Sequence, residues 1–181
     1  MGYLILIIGV ALWWAAHLFK RVAPARREAF GRGPVALAIL ASVVLMVVGY
    51  RMAPFTPVWE PPGFMVHLNN LLVLIGIWMM SPAGTKGKLL SGVRHPMLMG
   101  FRMWAFAHLL VNGDLASLIL FGGLLAWAVA EVPVINAAEP QWEKRKDGSF
   151  AKDGMFFVAS IVLVGVIGFI HGLIGPSAFP V

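Results

Sequence analysis

The sequence predicts an all-α fold, a polytopic helical bundle set in a membrane, with about six transmembrane helices and both termini on the non-cytoplasmic side. Three observations carry that expectation. Of the 181 residues, 60% are hydrophobic and 12% charged, and the mean hydropathy is +0.85; a soluble domain usually has about a quarter of its residues charged. The apolar residues gather into six runs near the length that crosses a bilayer. Of the 14 Lys and Arg residues, all but Arg51 and Arg102 fall in the loops after the first, third and fifth runs, which places those loops in the cytoplasm. The net charge of +6 and the pI near 10.2 therefore describe loops that face one side of a membrane, and nucleic acid is excluded as a partner. Cysteine is absent, which excludes disulfides, thiolate metal sites and haem attached through a CxxCH segment.

Taken in order, the first run covers residues 2–19. No basic segment precedes it and Lys20, Arg21, Arg26, Arg27 and Arg32 follow, so it reads as a retained helix, not a cleaved signal peptide. His17 lies near its end, with Trp13 and Trp14 one turn earlier. Pro34 opens the second run (34–50), after which Pro54, Pro57, Pro61 and Pro62 force an extended loop. The third run (64–80) carries His67 at its start and stops at Ser81-Pro82-Ala83-Gly84. The fourth (96–111) begins at an Arg94-His95-Pro96 turn and ends at Asn112-Gly113-Asp114. Only that tripeptide separates it from the fifth (115–135), which predicts antiparallel neighbours. A mixed-charge segment leads to the sixth run (154–174), which holds Gly165, Gly168 and His171. The whole chain, 1–181, reads as one transmembrane domain.

Ionisable groups within such runs are costly, so each is a functional candidate. His95 and His108 are separated by about 1,300° of helical rotation and face opposite ways, so they do not serve one site. Arg102 shares the face of His95 about 10 Å along the axis, where it can snorkel or hold an acidic ligand group. His108 shares a face with Phe101 and Trp104. His171 sits on a strip of glycines over which another helix or a flat macrocycle could lie. Glu131 lies as far after Gly113 as Arg94 lies before Asn112, which suggests an ion pair within the helix hairpin. Asp114 is placed to cap the fifth helix. Two helical histidines with aromatic and glycine neighbours are the arrangement that holds b-type haem through axial imidazoles.

The segment GVRHPMLMG (residues 92–100), followed by W-x-x-x-HLLVNGDLASLILFGG, resembles the NnrU family of bacterial membrane proteins, named for an association with respiratory reduction of nitrite and nitric oxide. The resemblance is strongest over residues 92–127 and extends to the first-helix histidine and to IHGLIG around His171. It implies a multi-pass protein of the bacterial inner membrane that works with, or supports, respiratory or other membrane complexes. NnrU is related to 15-cis-ζ-carotene isomerase, a haem b protein. That relation implies His17 and His108 as haem-iron ligands. Depth along the helices offers His171 as the competing partner of His108 and, with haem bound, Arg102 as a propionate contact. It does not settle whether there is turnover. The isomerase has a cysteine three residues before its second histidine, and Ala105 stands there in this chain.

Three rival readings follow from the same residues. One is haem-dependent cis–trans isomerisation of a polyene. Another is a cofactor-free membrane subunit or assembly factor in which all five histidines pack helices. The third arises because Arg-His-Pro-x-x-x-Gly also resembles a motif of membrane methyltransferases. Those enzymes have a tyrosine in the motif and a later Glu-Glu pair, whereas this chain has Met97-Leu98 and a single Glu139.

Overall fold

The computed structural model describes residues 1–179, and among these the regular structure is helical, with isolated bridges but no strand. The helices are α1 (Gly2–Val22), α2 (Pro24–Phe30), α3 (Arg32–Met52), α4 (Met65–Met80), α5 (Ala83–Lys86), α6 (Pro96–Val111), α7 (Leu115–Ala138) and α8 (Phe150–Ile174). Four of them, α1, α3, α7 and α8, are long and apolar enough to cross a membrane. The apolar helices α4 and α6 have 16 residues each and rise about 24 Å, because prolines and glycines bound them: Pro61, Pro62 and Pro82 flank α4, and Pro96 and Gly113 flank α6. Large apolar side chains stay exposed along these helices, among them Leu37, Val162 and Leu173. That is the surface of a membrane protein.

The chain divides into two compact units. One comprises Met1–Glu60 with Asn112–Pro140; the other comprises Pro61–Val111 with the chain from Gln141 onward. The chain passes from one to the other at Asn112, so α6 and α7, joined by a tripeptide, belong to different units.

In the first unit α1 packs along α3. The approach is close because Gly49 has no side chain: a Cβ there would stand 2.7 Å from the Leu6 Cα. Leu6 is fully buried. The turn between the helices is set by Gly31, whose φ of +84° is open to glycine; its N–H donates to the Arg27 and Glu28 carbonyls, and Arg27 donates back to the Gly31 carbonyl at 2.8 Å. At the opposite end, the proline loop is stitched to the start of α7. Val58 and Trp59 N–H donate to the Gly113 carbonyl at 2.7 and 3.0 Å, and Leu115 N–H donates to the Thr56 carbonyl at 2.9 Å. Asp114 caps α7: one carboxylate oxygen accepts from the Ser117 N–H at 3.0 Å and the other from the Ser117 hydroxyl at 2.5 Å. Tyr50 reaches the same hydroxyl at 2.8 Å. One turn on, α7 widens into a π-helical turn, Leu118–Gly122, and the Trp14 indole N–H donates to the Gly123 carbonyl just beyond it at 3.0 Å.

In the second unit α4 and α6 run antiparallel, with Gly76 against Gly100 and the Trp104 backbone, and Gly100 against Met79 and Met80. This register sets Asn69 at the level of His108. Trp78 joins α8 to α4: its ring meets Phe157 edge-on at 6.2 Å, and its N–H donates to the Asp153 carbonyl at 3.3 Å. The loop before α6 is held from α8. Asp153 is 4% exposed, and its carboxylate accepts the Lys88 and Leu89 N–H groups at 2.7 and 3.0 Å. Arg145 donates to the carbonyls of Gly84 and Thr85 at the end of α5. The His95 carbonyl then accepts the Met99 N–H at 3.0 Å and starts α6, with Pro96, which lacks an N–H, at its first position.

Two outcomes follow. Gly49→Ala should lower stability by about 1–3 kcal/mol through overpacking against a backbone, whereas Gly165→Ala, which has open space around it, should not; thermal melts in detergent compare them. Asp153→Ala removes the acceptor of two loop N–H groups, a loss of about 1–3 kcal/mol. It should speed tryptic cleavage after Lys86 and Lys88, and exposed Lys152→Ala should leave that cleavage rate unchanged.

Candidate functional site

Two histidines are presented in the same way. On α1, His17 donates its Nδ1–H to the Trp13 carbonyl one turn back at 2.9 Å, and the two rings pack at 4.1 Å with 33° between their planes. On α6, His108 donates its Nδ1–H to the Trp104 carbonyl at 2.9 Å, and those rings pack at 4.9 Å and 50°. A carbonyl oxygen only accepts, so Nδ1 carries the proton, and in the neutral ring Nε2 carries the lone pair. This is the arrangement by which an N–H bond to a carbonyl orients an imidazole and makes its other nitrogen a better metal ligand.

The spacing explains the geometry. Residues four apart on a helix lie one above the other, so W-x-x-x-H sets the indole under the imidazole and points the tryptophan carbonyl at Nδ1. The surroundings add to each ring. Trp127 of α7 meets His17 at 4.7 Å and Trp13 at 5.3 Å, both edge-on. Phe101 packs on Trp104 at 5.3 Å. Both histidines are half-buried. The recurrence of W-x-x-x-H at 13–17 and 104–108 is visible in the sequence, but its meaning is not; the shared Nδ1 bond is what makes the two positions equivalent.

His171 differs. It is exposed, and its Nδ1–H donates at 2.7 Å to the Pro176 carbonyl beyond the helix end. The tail folds back on α8, so that the Phe179 ring covers Gly168, and Asn70 of α4 donates to the Ala178 carbonyl at 3.0 Å. The tail thus covers Gly168 and approaches Gly172, while Gly165 stays open. His171 still lies within electrostatic reach of His108 in the same unit.

His95 and Arg94 are half-buried in the loop before α6, and His67 is exposed at the start of α4. Arg102 is half-buried on α6. Glu131 is buried on α7, 5% exposed, and Arg94 belongs to the other unit. Asn112 is half-buried where the chain changes units, and Asp114 is the α7 cap. Ala105 is fully buried.

Among the described residues no three His, Asp or Glu side chains come together around a metal position. An iron already held by four porphyrin nitrogens needs only one or two imidazoles, and His17 and His108 are each held in a tautomer suited to such a donor. An apolar groove of about 530 Å³ runs along α1 between Ile7, Ala11, Trp14, Leu18 and Ile119; no histidine lines it.

The family model described as NnrU protein matches residues 5–178 and so spans both compact units. No curated protein and no solved structure gives a significant match. With the matched region covering nearly all of the chain, this membrane protein belongs to the NnrU family.

Proposed function

We propose that this protein binds haem b in the bacterial inner membrane, with His17 and His108 as the iron ligands, and acts in or supports respiratory reduction of nitrite and nitric oxide as a redox or assembly component. The observation that carries the reading is the duplicated W-x-x-x-H: two histidines on separate helices, each with Nδ1–H on the tryptophan carbonyl one turn back and its ring on that indole. A packing histidine needs only some partner for a polar atom. Two rings held in one tautomer and one orientation, with Nδ1–H on a carbonyl and the lone pair on Nε2, are the form in which His17 and His108 would hold a haem iron. Membership of the NnrU family supports the respiratory setting.

Bound haem supplies a one-electron redox centre. The chain's own contribution is to orient the imidazoles through the Trp13 and Trp104 carbonyls, to pack their faces with indoles and to keep water away with apolar helices. Arg102, about 9 Å before His108 along the α6 axis, is the cation assigned to a propionate. The isomerase reading is weaker, because Ala105 and the absence of cysteine leave no thiol to exchange with an imidazole.

The test is the absorption spectrum of the detergent-purified protein. The expected result is a Soret band with sharp reduced α and β bands, lost or shifted to a high-spin form in both His17→Ala and His108→Ala. His67→Ala and His171→Ala should leave it intact. Loss in His171→Ala with retention in His17→Ala would move the second ligand to His171. A colourless preparation from haem-replete cells would overturn the haem reading in favour of a cofactor-free subunit.

A further inference from the structure

The second unit ends in a compact platform whose charge the haem reading does not use. Residues 82–95, between α4 and α6, lie against residues 144–149, which precede α8. Arg145 N–H donates to the Ser91 carbonyl and Ser149 N–H to the Lys86 carbonyl, each at 3.3 Å, and Gly87 pairs with Ser149 in a parallel bridge. Buried Asp153 holds the platform from below, and the Arg145 guanidinium is committed to the carbonyls of Gly84 and Thr85. These bonds fix the backbone, and with it the positions of the lysines.

The fixed backbone draws like charges together. Lys88 Nζ lies 3.5 Å from the Lys146 carbonyl, and the end of the Lys144 side chain lies over Gly92. Lys86 and Lys152 are on the same platform, and all five lysines are exposed. Only two exposed carboxylates, Glu143 and Asp147, accompany them. Cations gathered this way repel one another unless an anion sits among them. Large apolar side chains are exposed beside the lysines: Leu89 at 62%, Trp142 at 42% and Phe150 at 66%. Nothing soluble explains both features at once. A phosphate alone would leave the apolar groups in water, and a zwitterionic lipid would leave the charge unmatched.

We propose that this platform binds anionic phospholipid, with Lys88, Lys144 and Lys146 around the headgroup phosphate while Leu89, Trp142 and Phe150 enter the acyl layer. Trp is at home at that depth, and lysine stems lie along apolar surface with their ammonium groups in the headgroup region. None of these residues takes part in holding the His17 or His108 ring, so the proposal stands whether or not haem binds.

The full-length protein, reconstituted in nanodiscs of phosphatidylcholine with and without phosphatidylglycerol, tests the idea through the lipid it retains in native mass spectrometry. Wild type should retain phosphatidylglycerol in preference to phosphatidylcholine. K88Q/K144Q/K146Q should cut that retention about a hundredfold, in keeping with the attraction of each near-surface lysine to anionic lipid. K20Q/R26Q/R32Q, with the same change of charge in the other unit, should leave it unchanged. W142S/F150S should weaken retention without any change of charge. Equal losses in both charge variants would show a diffuse surface potential and overturn the proposal, as would no loss in either. A melting-temperature rise with inorganic phosphate that matches the rise with phosphatidylglycerol would assign the cluster to a soluble anion and overturn it as well.

Discussion

A polar atom on a helix that lies in hydrocarbon has no water to turn to, so its partner must come from the chain. That constraint organises both units. The Ser42 hydroxyl donates to the Ile39 carbonyl and Ser160 to the Phe156 carbonyl, each within its own helix. The Trp14 indole N–H takes the Gly123 carbonyl beside a π-helical turn, where the regular ladder is interrupted. His17 and His108 obey the same rule by donating Nδ1–H to a carbonyl one turn back. For serine that bond completes the accounting. For histidine it also fixes the tautomer, because the ring has a second nitrogen, which then carries the lone pair. A local bond that any membrane helix would favour thus leaves an imidazole oriented.

The same lack of water shapes the packing. Association of apolar helices in lipid rests on close contact and not on hiding from solvent, and the closest contacts are made where glycines meet backbone, at Gly49 on Leu6 and at Gly76 on Gly100. Each pair lies within one unit. The prolines that bound α4 and α6 shorten those helices, and the loops they force are then bonded back onto the unit, by Gly113 for the first proline loop and by Asp153 for the loop before α6.

Much of this is written plainly in the sequence. Apolar runs are read directly, because a bilayer demands length and composition and little else, and the starts of α6 and α7 follow from Pro96 and Asp114. The short α2 between Pro24 and Gly31 has no apolar periodicity to announce it, and the π-helical turn in α7 has no residue signature. Nor does a sequence show which unit a helix joins: α6 belongs to one compact unit, and α7, three residues on, to the other. Within the site, the candidate histidines were visible as ionisable residues in apolar runs. Their surroundings were not. His171 too holds its Nδ1–H on a carbonyl, that of Pro176, and differs from His108 in being exposed and in having no tryptophan one turn back.

The most distinctive stretch, residues 92–127, therefore does not build one site. Its Arg-His-Pro turn starts α6 at a loop clamped by Asp153, and it lies at the lysine-rich end of the second unit. Its W-x-x-x-H prepares an imidazole near the other end of α6. Its Asn-Gly-Asp carries the chain into the first unit, ties the proline loop through Gly113 and caps α7 through Asp114. Three tasks lie in series along one segment. The turn and the cap would be required of this fold even in a protein with no cofactor. The repeat of W-x-x-x-H on α1 serves two ends at once: it packs α1 on Trp127 of α7, and it holds a second imidazole in the tautomer of His108.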